Sequence, residues 1–286
     1  MQTIPFVKMS GLGNDFVVID AIDSDLQPDL AMIRAIADRH LGVGCDQVLW
    51  LSAVVDGLLY RIFNPDGTEV AQCGNGARCI GHYMSVKHNY QAWPLRLETC
   101  QGKSLFVDKL SADVYQVVMG VPQALSGQLS DLIEYEFAGK NLVFQAIDIG
   151  NPHAVVGFVD EFTPAVLSEF DLAGLGLELQ THALFPEGVN VSVVARLGES
   201  EVQMRIYERG AAETFACGSG ACAVVAAGLA LAKLAPDSVK VVMPGGHLTV
   251  SMTAAGLAQS GPVRWVFVGT WCHRQAPADM FYFDVD

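Results

Sequence analysis

Positive charge is scarce in this chain. Seventeen Lys and Arg stand against 31 Asp and Glu over 286 residues, a formal net charge of −14. Such a balance repels phosphate backbones and anionic lipid, so neither nucleic acid nor a membrane surface is an expected partner. Long apolar runs are missing as well. The most apolar stretch, Gly220 to Ala232, stops at Lys233, short of the roughly 20 residues that span a bilayer. Residues 1–16 hold no basic segment followed by an apolar one, so no secretory leader is read there, and a cytoplasmic protein is expected. The chain has no Cys-x-x-Cys pair. Its nearest cysteines are Cys73/Cys79 and Cys217/Cys222, spacings that do not suit structural zinc, so no metal is expected. Seven cysteines, an odd and scattered set, imply reduced thiols rather than a disulfide scaffold. What abounds is apolar side chain, 51% of residues with a mean hydropathy of +0.32. That excludes disorder and allows one large domain or two ordinary ones.

One stretch occurs twice. Cys73-Gly74-Asn75-Gly76-Ala77 returns 144 positions on as Cys217-Gly218-Ser219-Gly220-Ala221. The match runs upstream at the same offset, with Arg61-Ile62-Phe63 answered by Arg205-Ile206-Tyr207 and Glu69 by Glu213. Two copies of one cysteine turn in two half-chains predict two similar lobes that present two thiols to one site.

Periodicity fills in the halves. A strand through Val17, Val18 and Ile19 follows the turn Gly11 to Asn14. The spacing of Leu30, Ile33, Ile36, Ala37 and Leu41 predicts a helix stopped by Gly42. Strands are expected at Val48 to Leu51 and Leu58 to Phe63, the latter closed by the turn Asn64-Pro65-Asp66-Gly67. A helix then runs from about Gly76 to Lys87, and a meander covers Leu95 to Thr99, Ser104 to Leu110 and Val114 to Met119. Pro122 to Asp131 marks a lobe boundary. The second half repeats the grammar, with strands into Gly150, through Val155 and Val156, around Asn190 to Val194 and at Val202 to Tyr207. A helix from Ser219 to about Leu234 and strands at Val239 to Val242 and Leu248 to Met252 complete it. That helix is apolar all round and must be covered on every side. A sheet curled about a central helix in each lobe would cover it.

Each repeated cysteine precedes a helix start and is followed by Gly-x-Gly. Glycine frees the backbone for turns and uncovers its amides. The amides and partial positive charge of a helix N-terminus stabilise a thiolate or a ligand carboxylate, and can lower a thiol pKa from about 8.5. Two thiols on opposite faces of one carbon can remove a proton from one side and return it to the other, provided one is thiolate and one thiol. With each sulfur roughly 3–3.5 Å from that carbon, the two stand too far apart for a disulfide. One such turn alone would read as a buried cysteine; two in register point to function. Cys45, Cys79, Cys100, Cys222 and Cys272 lack the repeated context and read as incidental. Gly218-x-Gly220-x-x-Ala223 fits a dinucleotide fingerprint only loosely, because Thr214 to Cys217 makes a poor parallel strand. By themselves, His153 reads equally as a turn histidine, Glu208-Arg209 as an exposed ion pair, and Asn14, Asn64, Asn151 and Asn190 as ordinary turn asparagines.

Together these residues resemble diaminopimelate epimerases. The segments GLGNDF at 11–16, NPDGTEVAQCGNGARC at 64–79, GNPHAV at 150–155, PEGVN at 186–190, ERGAAETFACGSGACA at 208–223 and MPGGHL at 243–248 follow that family's order. The resemblance implies an α/β (α+β) fold of two pseudo-symmetric lobes, each a mixed, mostly antiparallel sheet wrapped around a central helix. Lobes of 1–121 plus 265–286 and of 122–264 are expected. It also implies a cofactor-independent, PLP-independent isomerase interconverting LL- and meso-diaminopimelate for lysine and peptidoglycan precursors, and a homodimer. Cys73 and Cys217 would be the acid/base pair, assisted by His153 and Glu208. Gly74, Asn75, Gly218 and Ser219 would offer amides to the reacting carboxylate. Asn14, Gln47, Asn64, Asn151, Asn190, Glu208 and Arg209 would hold the rest of the substrate, Arg209 gripping a carboxylate bidentately. Ser10, Cys45, Ala212 and the tail from Thr270 to Asp286, with Met280-Phe281-Tyr282-Phe283, depart from the family pattern. Two alternatives stay open: another two-cysteine amino-acid racemase of this fold, and a non-catalytic anion-binding protein.

Overall fold

A computed structural model describes residues 2–70, 73–160, 162–235 and 237–273. The first half runs β1 (Gln2–Gly11), β2 (Asn14–Asp20), α1 (Leu30–Ala37), β3 (Gln47–Val54), β4 (Gly57–Phe63), β5 (Glu69–Val70), α2 (Gly74–Lys87), β6 (Leu95–Thr99), β7 (Ser104–Lys109) and β8 (Val114–Gly120). Two further strands, β9 (Gln123–Ala124) and β10 (Ile133–Phe137), lead into the second half. It continues as β11 (Lys140–Asp148), β12 (Pro152–Val156), α3 (Pro164–Glu169), α4 (Leu172–Leu179), β13 (Asn190–Arg196), β14 (Glu201–Glu208), β15 (Ala212–Thr214), α5 (Gly218–Ala230), β16 (Ser238–Met243), β17 (Gly246–Thr253) and β18 (Gly256–Pro262). Strand β19 (Arg264–His273) closes the described chain.

The two halves pair alike. Strands β2 and β3 are parallel, as are β12 and β13. Ile62 faces Val70 and Phe63 faces Glu69, while Ile206 faces Thr214 and Tyr207 faces Glu213, the same register 144 residues apart. Leu58 pairs with Leu97 across parallel strands, and Val202 with Val241, again at that offset. The repeated arginine and glutamate form the same bidentate pair in both halves. Arg61 reaches Glu69 at 2.8 and 2.8 Å, and Arg205 reaches Glu213 at 2.7 and 2.8 Å. The meander β6–β7–β8 forms as expected, matched by β16–β17–β18. The halves are then sewn together. Antiparallel β8 and β18 pair from Gly120/Leu257 to Val114/Pro262, and β19 returns to pair with β1.

Each half packs one helix inside its curved sheet and others outside. Helices α2 and α5 share one continuous core with the inner faces of both sheets. Helix α5 is buried at Gly218 and from Gly220 through Gly228, as its all-round apolar sequence requires, with Ser219 half-buried. Outside, α1 covers Val17, Ile19, Val48 and Trp50 of the first sheet, and α3 and α4 cover Val191 and Val193 of the second. The Leu-rich stretch between β12 and β13 thus holds two helices, one seated by Thr163 with Pro164 at its first turn and one by Asp171.

Two helix ends differ from the expectation. Helix α1 stops at Ala37, and Leu41 is 90% exposed. The Asp38 carboxylate accepts the amides of His40 and Leu41, both at 2.7 Å, and this local turn outcompetes the next helical turn. Helix α5 ends at Ala230 rather than near Leu234. Strands β1, β10, β18 and β19 were unforeseen in the sequence; β1 with β19 and β18 with β8 pair across long separations, while β10 forms a hairpin with β11. The tail residues 274–286, including Met280 to Phe283, lie outside the described residues.

Candidate active site

Cys73 and Cys217 are the N-cap residues of α2 and α5. Both have extended backbone, φ −145° and ψ 108° for the first, φ −130° and ψ 120° for the second. The glycines that follow have no left-handed backbone, which corrects the expectation that turn conformation demands them. They serve close approach instead. A Cβ on Gly76 would strike the Tyr60 hydroxyl, and one on Gly220 would strike the Ile206 side chain. Each second glycine thus lets its helix start sit against the sheet strand that precedes the cysteine.

The turns meet across the seam. The Asn75 amide donates to the Ala216 carbonyl at 3.3 Å, linking the two turns directly. The amide of Gln259, on β18, lies where a Cβ of either Gly74 or Gly218 would be. One carboxylate, Glu208, acts electrostatically on both thiols.

In the first half Asn14 lies against Cys73, and Gln47 and Asn64 form a pair of their own. The Cys73 thiol lies 3.9 Å from Asn14 Oδ1 and accepts the Gly76 amide at 3.4 Å. Asn14 is itself fixed by Asp46 Oδ2 at 3.0 Å. Behind it Lys8, Asp15, Arg39 and Asp46 form an ionic cluster. Although burial opposes it, hydrogen bonds from Arg39 and Lys8 hold the Asp15 carboxyl down at about 2. Gln47 donates to Asn64 Oδ1 at 3.2 Å and leaves its own Oε1 buried without a partner. Such an orphaned acceptor is suited in chemistry to an ammonium.

Around Cys217 the second half places Asn151, His153, Asn190, Glu208, Arg209 and Ser219. Cys217 Sγ lies 3.4 Å from Ser219 Oγ, which lies 3.1 Å from His153 Nε2. His153 Nε2 also meets Asn151 Oδ1 at 3.0 Å, while its Nδ1 is buried without a partner. Asn190 bridges Pro152 O and the Arg209 amide, each at 3.0 Å. The Arg209 side chain is exposed and donates to the Glu187 carbonyl at 3.0 Å. Glu208 and Arg209 are therefore no exposed pair: the carboxylate turns inward, accepting Thr214 Oγ1 at 2.5 Å and the Cys217 thiol.

Burial dominates the electrostatics, and this overturns the expected low thiol pKa. Desolvation raises Cys73 to about 11, with Glu208 adding to it and the Gly76 amide opposing. Burial and Glu208 push Cys217 well above the ordinary thiol range. Burial likewise raises the Glu208 carboxyl, and lowers His153 to about 3 with help from Arg209. Both cysteines are thus held as thiols with a neutral imidazole nearby. The remaining cysteines split. Cys45 and Cys222 sit in the core with pKa values pushed up to about 12, Cys79 is also fully buried, and Cys100 and Cys272 are exposed.

Sequence reasoning missed Asp46, Tyr60, Arg78, Thr214 and Gln259. Tyr60 donates to the Cys73 carbonyl at 3.2 Å. Arg78 and Thr214 carried a signal, their places in the segments 64–79 and 208–223; the complete burial of Arg78 could not be read from the chain. Among the described residues no three His, Cys, Asp or Glu side chains converge as metal ligands, and no helix is long and apolar enough to cross a membrane.

The architecture is one that racemase and epimerase structures share. A hydroxyproline epimerase from Agrobacterium vitis superposes with a TM-score of 0.68 at 18% identity, over 95% of this chain and 91% of its own. A probable proline racemase from Agrobacterium radiobacter K84 gives 0.70 at 16% identity, over 97% and 94%. At those identities the likeness is one of fold. Sequence narrows it further. The diaminopimelate epimerase family model matches residues 6–125 and 145–266. A diaminopimelate epimerase of Xylella fastidiosa (strain M23) is 42% identical over 279 residues, 93% of this chain and 95% of that protein. One of Xanthomonas euvesicatoria pv. vesicatoria (strain 85-10) is 39% identical over the same shares. The chain belongs to the diaminopimelate epimerase family.

Proposed function

We propose that this protein interconverts LL- and meso-2,6-diaminopimelate by exchanging one α-proton between two cysteines, a step of lysine and peptidoglycan precursor synthesis. The observation that carries the reading is the meeting of two in-register cysteine turns, joined by the Asn75–Ala216 hydrogen bond and packed on one Gln259, in a chain of this family. The thiolate of one cysteine takes the α-proton and becomes a thiol. The opposite thiol then gives its proton to the other face of the carbanion and becomes the thiolate, so charge and protons balance and the configuration inverts.

The amides of Gly74, Asn75, Gly218 and Ser219 at the two helix starts would hold the α-carboxylate. They would also stabilise the charge that spreads onto it, each such donor in a dry site being worth about 3 kcal/mol. Because burial keeps both thiols protonated, one must be ionised by a local acceptor. Glu208 takes the Cys217 hydrogen bond, and Ser219 connects that sulfur to neutral His153. These contacts support Glu208 as the proton acceptor, with neutral His153 holding Ser219 against that sulfur. Asn14, Gln47, Asn64, Asn151, Asn190 and Arg209 would grip the distal ammonium and carboxylate. No cofactor is invoked, since the thiols supply both transfers. The return of β19 to β1 supports lobes of 1–121 with 265–286 and of 122–264. A homodimer working in the cytoplasm rests on the family resemblance.

The test is proton exchange. Incubated with LL-diaminopimelate in deuterated water, the wild type should label the α-carbon and yield meso product. Cys73→Ala should lose at least about 10²–10⁴-fold of that rate. A wild type that binds without exchange would make this an anion-binding protein, and a Cys73→Ala variant as fast as wild type would remove the thiols from the mechanism.

A further inference from the structure

A buried cation lies where the two cysteine helices begin. Arg78, in the second turn of α2, is fully buried. Its Nη1 donates to Gln259 Oε1 at 2.5 Å and its Nη2 to Asn75 Oδ1 at 2.9 Å, while Nε has no partner. Among the described residues no carboxylate pairs with it. Both of its neutral partners reach across the seam. Asn75 holds the Ala216 carbonyl beside Cys217. Gln259 is fully buried on β18, paired there with Val117 of β8, and fills the space that side chains on Gly74 and Gly218 would need. The remaining Gln259 donor points at Met119 Sδ, 3.2 Å away. The titratable groups that feel the guanidinium are Cys73, Cys79 and Cys222, and none of them is a carboxylate.

An unpaired charge in a protein interior is strongly unfavourable unless something else needs it. Burial lowers the Arg78 pKa only to about 10, so the group stays charged at neutral pH. Helix α2 starts immediately above it and α5 starts against the same Gln259, and each helix start adds partial positive charge. Three sources of one sign therefore converge, and among the described residues no carboxylate pairs with the guanidinium to answer them. The negative charges that can are a cysteine thiolate and a carboxylate lying on the helix starts.

We propose that Arg78, clamped by Gln259 and Asn75, is a positioning residue that holds the two cysteine helices together and supplies the positive field that makes a thiolate tenable between them. The inference rests on the two-thiol reading above and adds to it the source of the compensating charge. Glu208 works in the opposite sense on both thiols, and Tyr60 lies at the Cys73 carbonyl. The thiolate is thus balanced between a buried cation beneath and a carboxylate beside it.

Gln259→Glu tests this with little change of shape, because it sets a carboxylate against the guanidinium and cancels its field. The readout is the pH profile of iodoacetamide alkylation at Cys73, the cysteine-turn thiol that feels the guanidinium, resolved by mass spectrometry, with melting temperature as the check on folding. The profile should move alkaline by about one pH unit, a roughly tenfold slower alkylation at fixed pH near about 9. The melting temperature should hold or rise, and α-proton exchange should fall in kcat rather than KM. Arg78→Lys, which keeps the charge, should retain the wild-type profile, and Arg78→Met should shift it as Gln259→Glu does. Folded Gln259→Glu and Arg78→Met proteins with unshifted profiles would overturn the proposal. Alkylation needs no substrate, so that result is distinct from a wild type that fails to exchange α-protons.

Discussion

At the scale of single residues, the repeat is most informative where it breaks. Asn64 and Glu208 occupy the same place in the two halves, 144 positions apart, each at the end of the strand that leads to a cysteine turn. Asn64 donates to Thr68, whereas Glu208 is a half-buried carboxyl turned inward beside Cys217. A neutral amide in one half and an acid in the other makes the two thiols chemically unequal, as a thiolate/thiol pair requires. His153 adds a second asymmetry with a consequence for stability. Its folded pKa, about 3, lies below the unfolded value near 6.5. Above pH 6.5 the imidazole is neutral in both states and its burial costs nothing in protons. As pH falls from about 6.5 toward 3, the unfolded chain takes up a proton that the folded one refuses, so stability drops by up to about 1.4 kcal/mol per pH unit. Glu208, with a raised pKa, acts in the opposite sense. A His153→Gln variant should therefore show a flatter loss of stability between pH 6.5 and about 4 than wild type in urea melts, and equal slopes would mean the imidazole is not held neutral. The names of these residues were legible in the sequence because they recur or lie in family motifs. Their protonation was not, because it is set by strands far away in the chain that bury them.

At the scale of elements, the cysteine helices and the strands around them were legible because turn residues and apolar periodicity agree there. The helix ends were not. Helix α5 reads on to Leu234 because Leu231, Ala232 and Leu234 are good helix formers, yet it closes after Ala230 in a Schellman arrangement. The Lys233 amide bonds the Gly228 carbonyl at 2.8 Å and the Ala232 amide the Leu229 carbonyl at 3.0 Å. Ala232 must then take φ +53°, a conformation that costs an L-residue about 1 kcal/mol and that glycine adopts freely. The usual glycine signal is absent, so the stop is invisible in the chain. What enforces it is Leu234, which turns back under the helix. It packs so closely on Gly228 that a Cβ there would collide with it. Ala232→Gly should raise unfolding stability by about 0.5–1 kcal/mol without touching exchange activity, read as a higher urea midpoint at unchanged m. A loss of stability would mean that the left-handed cap is not formed in solution.

At the scale of the whole molecule, the sequence announced two halves but not how they are joined. Repeats are visible in a chain; a pairing such as β1 with β19, from Thr3/Cys272 to Ser10/Arg264, leaves no local mark. Neither terminal strand was foreseen. Yet β19 does for the first half what β10 does for the second, covering the strand that pairs next to it with the start of the site, β2 beside β1 and β12 beside β11. The two halves differ in where that cover comes from: β10 precedes its partner directly, while β19 arrives after the whole second half has been made. The first half is therefore completed only when the chain is complete, and its Cys73 turn depends on it through β1 and α2, which share one core. A chain ended after Val263 would keep every candidate site residue and the β8–β18 seam, but would leave β1 as an open edge. Its β1 amides facing β19 should then exchange hydrogen far faster than those of β11, and Cys73 should be alkylated faster than Cys217 as the first half loosens. If the truncated chain protected β1 as fully as the complete one, β19 would be an appendage and the first half would be self-sufficient. A general loss of folding would instead show that the continuous core lets neither half stand without the other. These outcomes are separated by comparing protection in β1 with protection in β11 and β12, where the second half carries its own cover.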